Sequence, residues 1–177
     1  SIEVFGELSD ALEWVEDKIL LEEFEDEDDK PYDLGEFEFF EGASEKALNT
    51  LKSGIQEMEF KKGDKIFRIG DSGGEIYFIR KGNIRIELPL PNGNTAHRAT
   101  FSKGGFFGDM SFLDNQNRSA DAVVASNDAM LYILSRKSFD EIARKYPEIC
   151  LIFYEKLAYQ LSIRMRTNVM ELASLQE

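Results

Sequence analysis

A run of short strands broken by glycine turns constrains this chain more than any other feature. From Ile55 the apolar residues take a period of two, with Met58 and Phe60 alternating with Glu57, Glu59 and Lys61. That is the alternation of a half-covered strand. Lys62-Gly63-Asp64 makes a turn, and Ile66-Phe67 begins a second strand. Gly70-Asp71-Ser72-Gly73-Gly74 makes another turn before the strand Ile76-Tyr77-Phe78-Ile79. Lys81-Gly82-Asn83 reads as a tight turn into Ile84-Arg85-Ile86-Glu87-Leu88, expected as that strand's hairpin partner. Pro89 to Asn94 forms the next hairpin tip, and Ala129 to Leu134 the last strand. The glycines are turn formers first. Short strands at this spacing define a β-barrel or sandwich.

Within this region, Phe106 to Val124 carries an unusual order of parts. Gly108 and Asp109 come first, then the short apolar turn Met110-Ser111-Phe112-Leu113, a polar loop, Arg118-Ser119-Ala120, and a β-branched run. Gly108 lets the backbone take a positive φ or approach a ligand closely. The first N–H groups of a helical turn at Met110 lack partners within the helix and attract anions. Arg118 offers a planar fork of donors suited to phosphate oxygens. Asp109 can accept bonds from a sugar hydroxyl. Together the parts suit a small phosphorylated sugar. Asp121, close along the strand, offers Arg118 a competing ion pair.

This stretch resembles the phosphate-binding cassette of cyclic nucleotide-binding domains, whose pattern is Phe-Gly-Glu, an apolar turn, a loop, and Arg-Ser/Thr/Ala-Ala before a strand. Phe107-Gly108 and Arg118-Ser119-Ala120 match it in order and spacing. Asp109 stands where the family has Glu, a carboxylate one methylene shorter. The resemblance implies a mainly β fold with flanking α-helices: a double-stranded β-helix, or jelly-roll-like barrel, with N-terminal helices and a long C-terminal helix. It further implies cAMP or cGMP as ligand. Arg118, Ser119 and Ala120 would hold the cyclic phosphate, and Gly108 and Asp109 would meet the ribose 2′-hydroxyl. Phe107, Met110 and Ser111 complete the implied site.

The front of the chain differs in character. Ile2-Glu3-Val4-Phe5 reads as a short edge strand, and Ser9-Asp10 as the cap of an amphipathic helix. Its apolar face carries Ala11, Leu12, Val15, Ile19 and Leu20. Val4-Phe5, Leu8-Ser9-Asp10-Ala11-Leu12-Glu13-Trp14 and Glu16-Asp17 resemble the last strand and helix of a STAS domain, the cytoplasmic tail of SulP-type anion transporters. Some bacterial members of that family carry a cyclic nucleotide-binding domain directly afterwards. The organisation expected is therefore a STAS-like piece over 1–25, an acidic linker over 26–35 and the nucleotide-binding-like domain over 36–177. Its barrel would span about 55–135 and its C-terminal helices about 136–176.

Glu22 to Asp29 holds seven acidic residues in eight. Such dense like charge stays solvated, and it lacks the alternating ligands and turn glycine of a calcium loop. Phe37, Phe39 and Phe40 then read as a cluster packing onto the core, followed by a helix capped by Ser44. After the barrel, Ser135 to Tyr146 reads as a helix with Phe139 and Ile142 inward, and Pro147 opens a long final helix. There Leu151, Tyr154, Ala158, Leu161, Met165, Asn168, Leu172 and Leu175 recur in steps of three and four. Two readings stand: a helix packed on its own barrel, or the seam of a parallel dimer. Tyr154 or Tyr159 is a candidate to stack on a purine, against the commoner role of core aromatic.

Charge and composition narrow the function. Residues 1–60 hold 20 acidic and 4 basic residues, a net of −16, and residues 61–177 hold 14 and 17, a net of +3. An acidic front argues against nucleic acid as a partner. Cys150 is the only cysteine, so no intrachain disulfide forms, which fits a reducing compartment. No apolar run approaches a membrane span and no signal peptide appears. The start at Ser1 reads as an excised or trimmed piece, and no helix-turn-helix follows the long helix. His97 alone makes neither a metal site nor a catalytic pair. No catalytic constellation and no resident cofactor is expected. The expectation is a regulatory domain at the cytoplasmic face of the inner membrane, binding a cyclic nucleotide and modulating an attached anion (sulfate) transporter. The alternative is a degenerate module that binds no nucleotide and serves in dimerisation or protein interaction.

Overall fold

The computed structural model describes residues 30–90 and 95–174, without the side chains of Asn168 and 171–174. The N-terminal strand and helix read from Ile2 to Leu20, the acidic run from Glu22, the hairpin tip at 91–94 and Leu175 lie outside the described residues. Among the described residues, eight strands form two four-stranded antiparallel sheets. One sheet runs β1 (Ile55–Lys61), β8 (Asp128–Ser135), β3 (Glu75–Lys81), β6 (Phe106–Phe107). The other runs β2 (Lys65–Phe67), β7 (Asp121–Val124), β4 (Ile84–Pro89), β5 (Thr95–Phe101). Helices α1 (Glu45–Lys52), α2 (Asp109–Asp114), α3 (Arg136–Lys145) and α4 (Pro147–Ser174) flank them. This is the β-rich jelly-roll expected, with the long C-terminal helix.

The apolar runs Ile76–Ile79 and Ala129–Leu134 are continuous because the first sheet is covered on both faces. Ile76, Phe78, Phe106, Tyr132 and Leu134 point to a helical layer with Phe39, Phe139, Phe153 and Leu157. Their sequence neighbours Tyr77, Ile79, Phe107, Leu131 and Ile133 point between the sheets, with Ile84, Ala122 and Val124. Successive strand residues face opposite ways, so an unbroken apolar run is the signature of a strand buried on both sides.

That double burial corrects one expectation. β3 and β4 are not hairpin partners: β3 pairs with β8 and β6, and β4 with β5 and β7. Gly82, at φ +86°, turns the chain from one sheet to the other, and Asn83 is tied there by its N–H donating to Ser126 Oγ at 2.9 Å. A turn glycine marks a reversal of the chain, not which strand lies alongside.

The entrance segment behaves as its aromatics predict. Phe37, Phe39 and Phe40 are buried in two short 3-10 turns, Leu34–Glu36 and Glu38–Phe40. Phe39 lies 5.0 Å from Phe106 and 5.2 Å from Phe153, edge-on to both rings. Ser44 caps α1 by accepting from the Ala47 N–H at 3.2 Å, and Phe139 and Ile142 of α3 are buried as expected. Along α4, Ile149, Phe153 and Leu157 enter the core, with Tyr154 and Leu161 packed beside them. The expected seam therefore splits. Leu151 and Met165 are 72% and 70% exposed, while Tyr154 and Leu161 turn to the barrel. Tyr154 meets the Phe139 ring at 5.5 Å, the place of a core aromatic.

Candidate functional site

The two halves of the 106–124 stretch meet in space. Phe107 ends β6, and Gly108 takes φ +80° as the N-cap of α2. Only glycine fits here. A Cβ would lie 2.9 Å from Arg118 Nη1 and 2.9 Å from the Glu75 carbonyl oxygen, in a left-handed conformation costly to L-residues. Arg118 Nη1 donates to the Gly108 carbonyl at 3.2 Å across ten residues of sequence. The Arg118 N–H donates to the Asp71 carbonyl and its carbonyl accepts from the Gly70 N–H, both at 2.9 Å, clamping the far end of the loop to the Gly70–Gly74 turn. Gly73 fits against α2 for want of a side chain, since a Cβ there would lie 2.2 Å from Ser111 Cβ.

Arg118 is only 3% exposed as a residue. Phe67 lies under it at 4.3 Å and Tyr77 at 5.4 Å, a cation on aromatic faces. Burial pushes the Tyr77 hydroxyl above its ordinary pKa. Arg118 Nη1 also donates to the Glu75 carbonyl at 2.9 Å, and Nη2 to Glu75 Oε2 at 2.7 Å. Nε is buried with no hydrogen-bond partner among the described residues. A charge so placed needs such pairing, because desolvation is otherwise expensive.

Asp109, the first residue of α2, is 7% exposed. Its Oδ1 accepts from Arg164 Nη1 of α4 at 3.1 Å, while Arg164 Nη2 donates to the Phe106 carbonyl at 2.7 Å. The Arg164 guanidinium lies 4.6 Å from the Phe101 ring and 4.3 Å from that of Phe106. Phe107, Ser111 and Ala120 are buried, and Met110 and Ser119 are exposed, with Ser119 Oγ 3.8 Å from Met110 Sδ. Every site residue named from sequence thus falls within one patch joining β6, α2 and the start of β7.

Asp121 does not pair with Arg118. It is buried against Lys65, and its Oδ1 accepts from the Ile69 N–H at 2.7 Å. Burial acts to raise its pKa, but the Lys65 ammonium and the Ile69 amide outweigh burial and hold it below the usual carboxylate range. Arg118 lies in the loop before β7, whereas Asp121 opens the strand and its carboxylate is taken up by Lys65 and the Ile69 N–H. The partner of Arg118 is Glu75, 43 residues distant, which no local pattern signals. Arg164 left a trace: it lies one heptad beyond buried Leu157, a charge on the covered side of an otherwise apolar helix face.

Among protein-family models, "Cyclic nucleotide-binding domain" matches residues 57–146, about half of the chain. The protein is 31% identical over 133 residues to "Cyclic AMP receptor protein" of Thermus thermophilus, covering 75% of this chain and 59% of that protein. It is 30% identical over 159 residues to "Glutaminase 1" of Bradyrhizobium diazoefficiens, covering 89% of this chain but 25% of the enzyme. In structure it matches the "Catabolite Activator Protein" of Thermus thermophilus with a TM-score of 0.67 at 29% identity, over 78% of this chain and 62% of that one. The fold and this juxtaposition of Gly108, Asp109 and Arg118 define a β-rich jelly-roll domain of the cyclic nucleotide-binding type. The chain belongs to the cyclic nucleotide-binding domain family. It spans less than two thirds of the length of either curated relative. Among the described residues no helix is long and apolar enough to cross a membrane, and no cluster of His, Cys, Asp and Glu is placed to hold a metal ion.

Proposed function

We propose that residues 36–177 form a regulatory domain that binds cAMP or cGMP through Phe107, Gly108, Asp109, Met110, Ser111, Arg118, Ser119 and Ala120. The observation that carries this reading is the 3.2 Å bond from Arg118 to the Gly108 carbonyl, which brings both halves of the cassette to one point. Arg118 and the Ser119–Ala120 backbone would receive the cyclic phosphate, and Asp109 a ribose hydroxyl. Phe39 links Phe106, beside the site, to Phe153 on α4, so a shift of the cassette has a packed route to the helix. A ligand favouring one position of α4 over another changes the output by that difference in affinity. The output we infer is the activity of a SulP-type anion transporter at the cytoplasmic face of the inner membrane. The STAS-like residues at 1–25 and the acidic linker at 26–35, in that order before the domain, support this. The match to a quarter of a longer enzyme supports a domain that serves as an appendage. The domain itself is not an enzyme and needs no resident cofactor or nucleic acid.

Calorimetric titration with cAMP and with cGMP tests the site. Micromolar binding that weakens by at least about tenfold in Arg118→Ala is the expected result, since a charge-assisted contact of this kind contributes roughly 1.5–3 kcal/mol. The second reading, an interaction module that binds no nucleotide, is favoured by the ion pair Glu75 already makes with Arg118. Absence of heat with either nucleotide, in this protein and in a Glu75→Gln variant alike, decides for it.

A further inference from the structure

Both ligand-recognition groups of the cassette are engaged by the chain's own side chains. Glu75 Oε2 accepts from Arg118 Nη2 at 2.7 Å. A carboxylate meets a guanidinium with the same geometry of oxygen acceptors, and the same single negative charge, as one edge of a cyclic phosphodiester. At the start of α2, Arg164 Nη1 donates to Asp109 Oδ1 at 3.1 Å, the bond a sugar hydroxyl would donate. The two internal partners differ from the groups they hold in their freedom. The Glu75 side chain is 39% exposed and Arg118 2%, so the glutamate can swing to solvent while the arginine stays. Glu75 directly follows Gly74, which sits at φ +129° with open space around it. The Arg164 side chain is 28% exposed against 9% for the Asp109 side chain, and it rides on α4.

We propose that Glu75 and Arg164 are internal competitors of the nucleotide: Glu75 occupies the phosphate position at Arg118, and Arg164 the sugar-hydroxyl position at Asp109. This rests on the reading of the cassette as a cyclic nucleotide site. Binding then exchanges one set of charge-assisted bonds for another, and affinity is set by what must be displaced. The exchange also has a mechanical side. Arg164 is held at once by Asp109, the Phe106 carbonyl and two aromatic rings, so a sugar hydroxyl arriving at Asp109 loosens the contact by which α4 grips the cassette. Glu75 sets the threshold for phosphate entry, and Arg164 reports the arrival of the sugar.

The test is calorimetric titration of the full chain with cAMP, cGMP and 2′-deoxy-cAMP, on the parent, Glu75→Gln and Arg164→Gln, with Arg118→Ala as control and a circular dichroism melt confirming each fold. Glu75→Gln keeps the shape of the side chain and removes its charge, and should tighten all three nucleotides about tenfold. Arg164→Gln should tighten cAMP about threefold and 2′-deoxy-cAMP less, raising the preference for the hydroxyl. Loss of packing alone would move both ligands together. If Glu75→Gln fails to fold, Glu75→Asp, which pulls the carboxylate back by one methylene, should give a smaller tightening. A silent parent with a Glu75→Gln variant that binds supports the competitor role and the nucleotide site together. If the parent binds and neither variant binds tighter, the competitor role is overturned and the nucleotide site stands. If no protein takes cAMP or cGMP, both fall.

Discussion

Gly108 and Arg118 constrain each other. The left-handed turn at Gly108 brings its carbonyl under the guanidinium, and a side chain there would meet Arg118 and the Glu75 backbone together. Gly108→Ala should therefore lower both the melting temperature and nucleotide affinity. The conformational part alone costs about 1–2 kcal/mol, and the displaced Arg118 adds to it. A thermal melt paired with a cAMP titration checks this, and an unchanged melt would refute the steric account. These two residues were legible in the sequence because a glycine before a helical turn and a lone arginine before a β-branched strand are local signals. Glu75 was not legible. It sits beside a turn as an ordinary surface carboxylate, and only the pairing of β3 with β6 carries it to Arg118.

At the scale of elements, α4 does two jobs on two faces. Ile149, Phe153 and Leu157 bury against the barrel, while Leu151, Tyr159, Ile163, Met165, Val169 and Met170 stand exposed. A scatter of single exposed apolar residues is ordinary, but a line of them along one helix is the surface a second helix covers. We propose that a second copy of this chain covers it, in parallel. Sedimentation should show a dimer at high concentration that Met165→Glu converts to monomer. A monomer throughout would remove the proposal. Of the seam read from sequence only Leu151 and Met165 fall in this exposed set, because heptad spacing could not divide the helix between barrel and solvent. The deciding fact is where Phe39 and Phe139 lie in three dimensions. The hairpin expectation failed for the same reason: the Ile76–Ile79 run of β3 is apolar at every position, so its pattern carries no information about its neighbours.

At the scale of the whole molecule, two buried groups among the described residues couple stability to pH in opposite directions. Tyr132, fully buried, is pushed up to about 12 by burial and by the hydroxyl bond it donates to Asp33 at 3.0 Å. An unfolded tyrosine ionises near 10. Between the two values the folded chain keeps a proton that the unfolded chain has lost. The contribution is complete below pH 10 and disappears as pH rises through the folded value. Tyr132→Phe should flatten that alkaline limb, worth on the order of 2 kcal/mol. Asp121 works oppositely. Its carboxyl is held low by Lys65 and the Ile69 amide despite its burial, so its stabilisation is full above the unfolded value near 4 and is lost as pH falls through the folded one. Denaturant melts from acid to strong base would show both limbs, and an alkaline limb unchanged in Tyr132→Phe would overturn the first assignment.

The pairing of β1 with β8 sets Ile55 opposite Leu134 and Lys61 opposite Asp128. The barrel's first strand and its last therefore leave the fold at the same end of one antiparallel ladder. Tension applied across those two exits would load the rungs one after another, beginning at Ile55 and Leu134, rather than all together as in a shear. A ladder opened rung by rung yields at low force. Because β8 also pairs with β3, with Leu134 opposite Ile76, the same tension would reach the strand that carries Glu75 to Arg118.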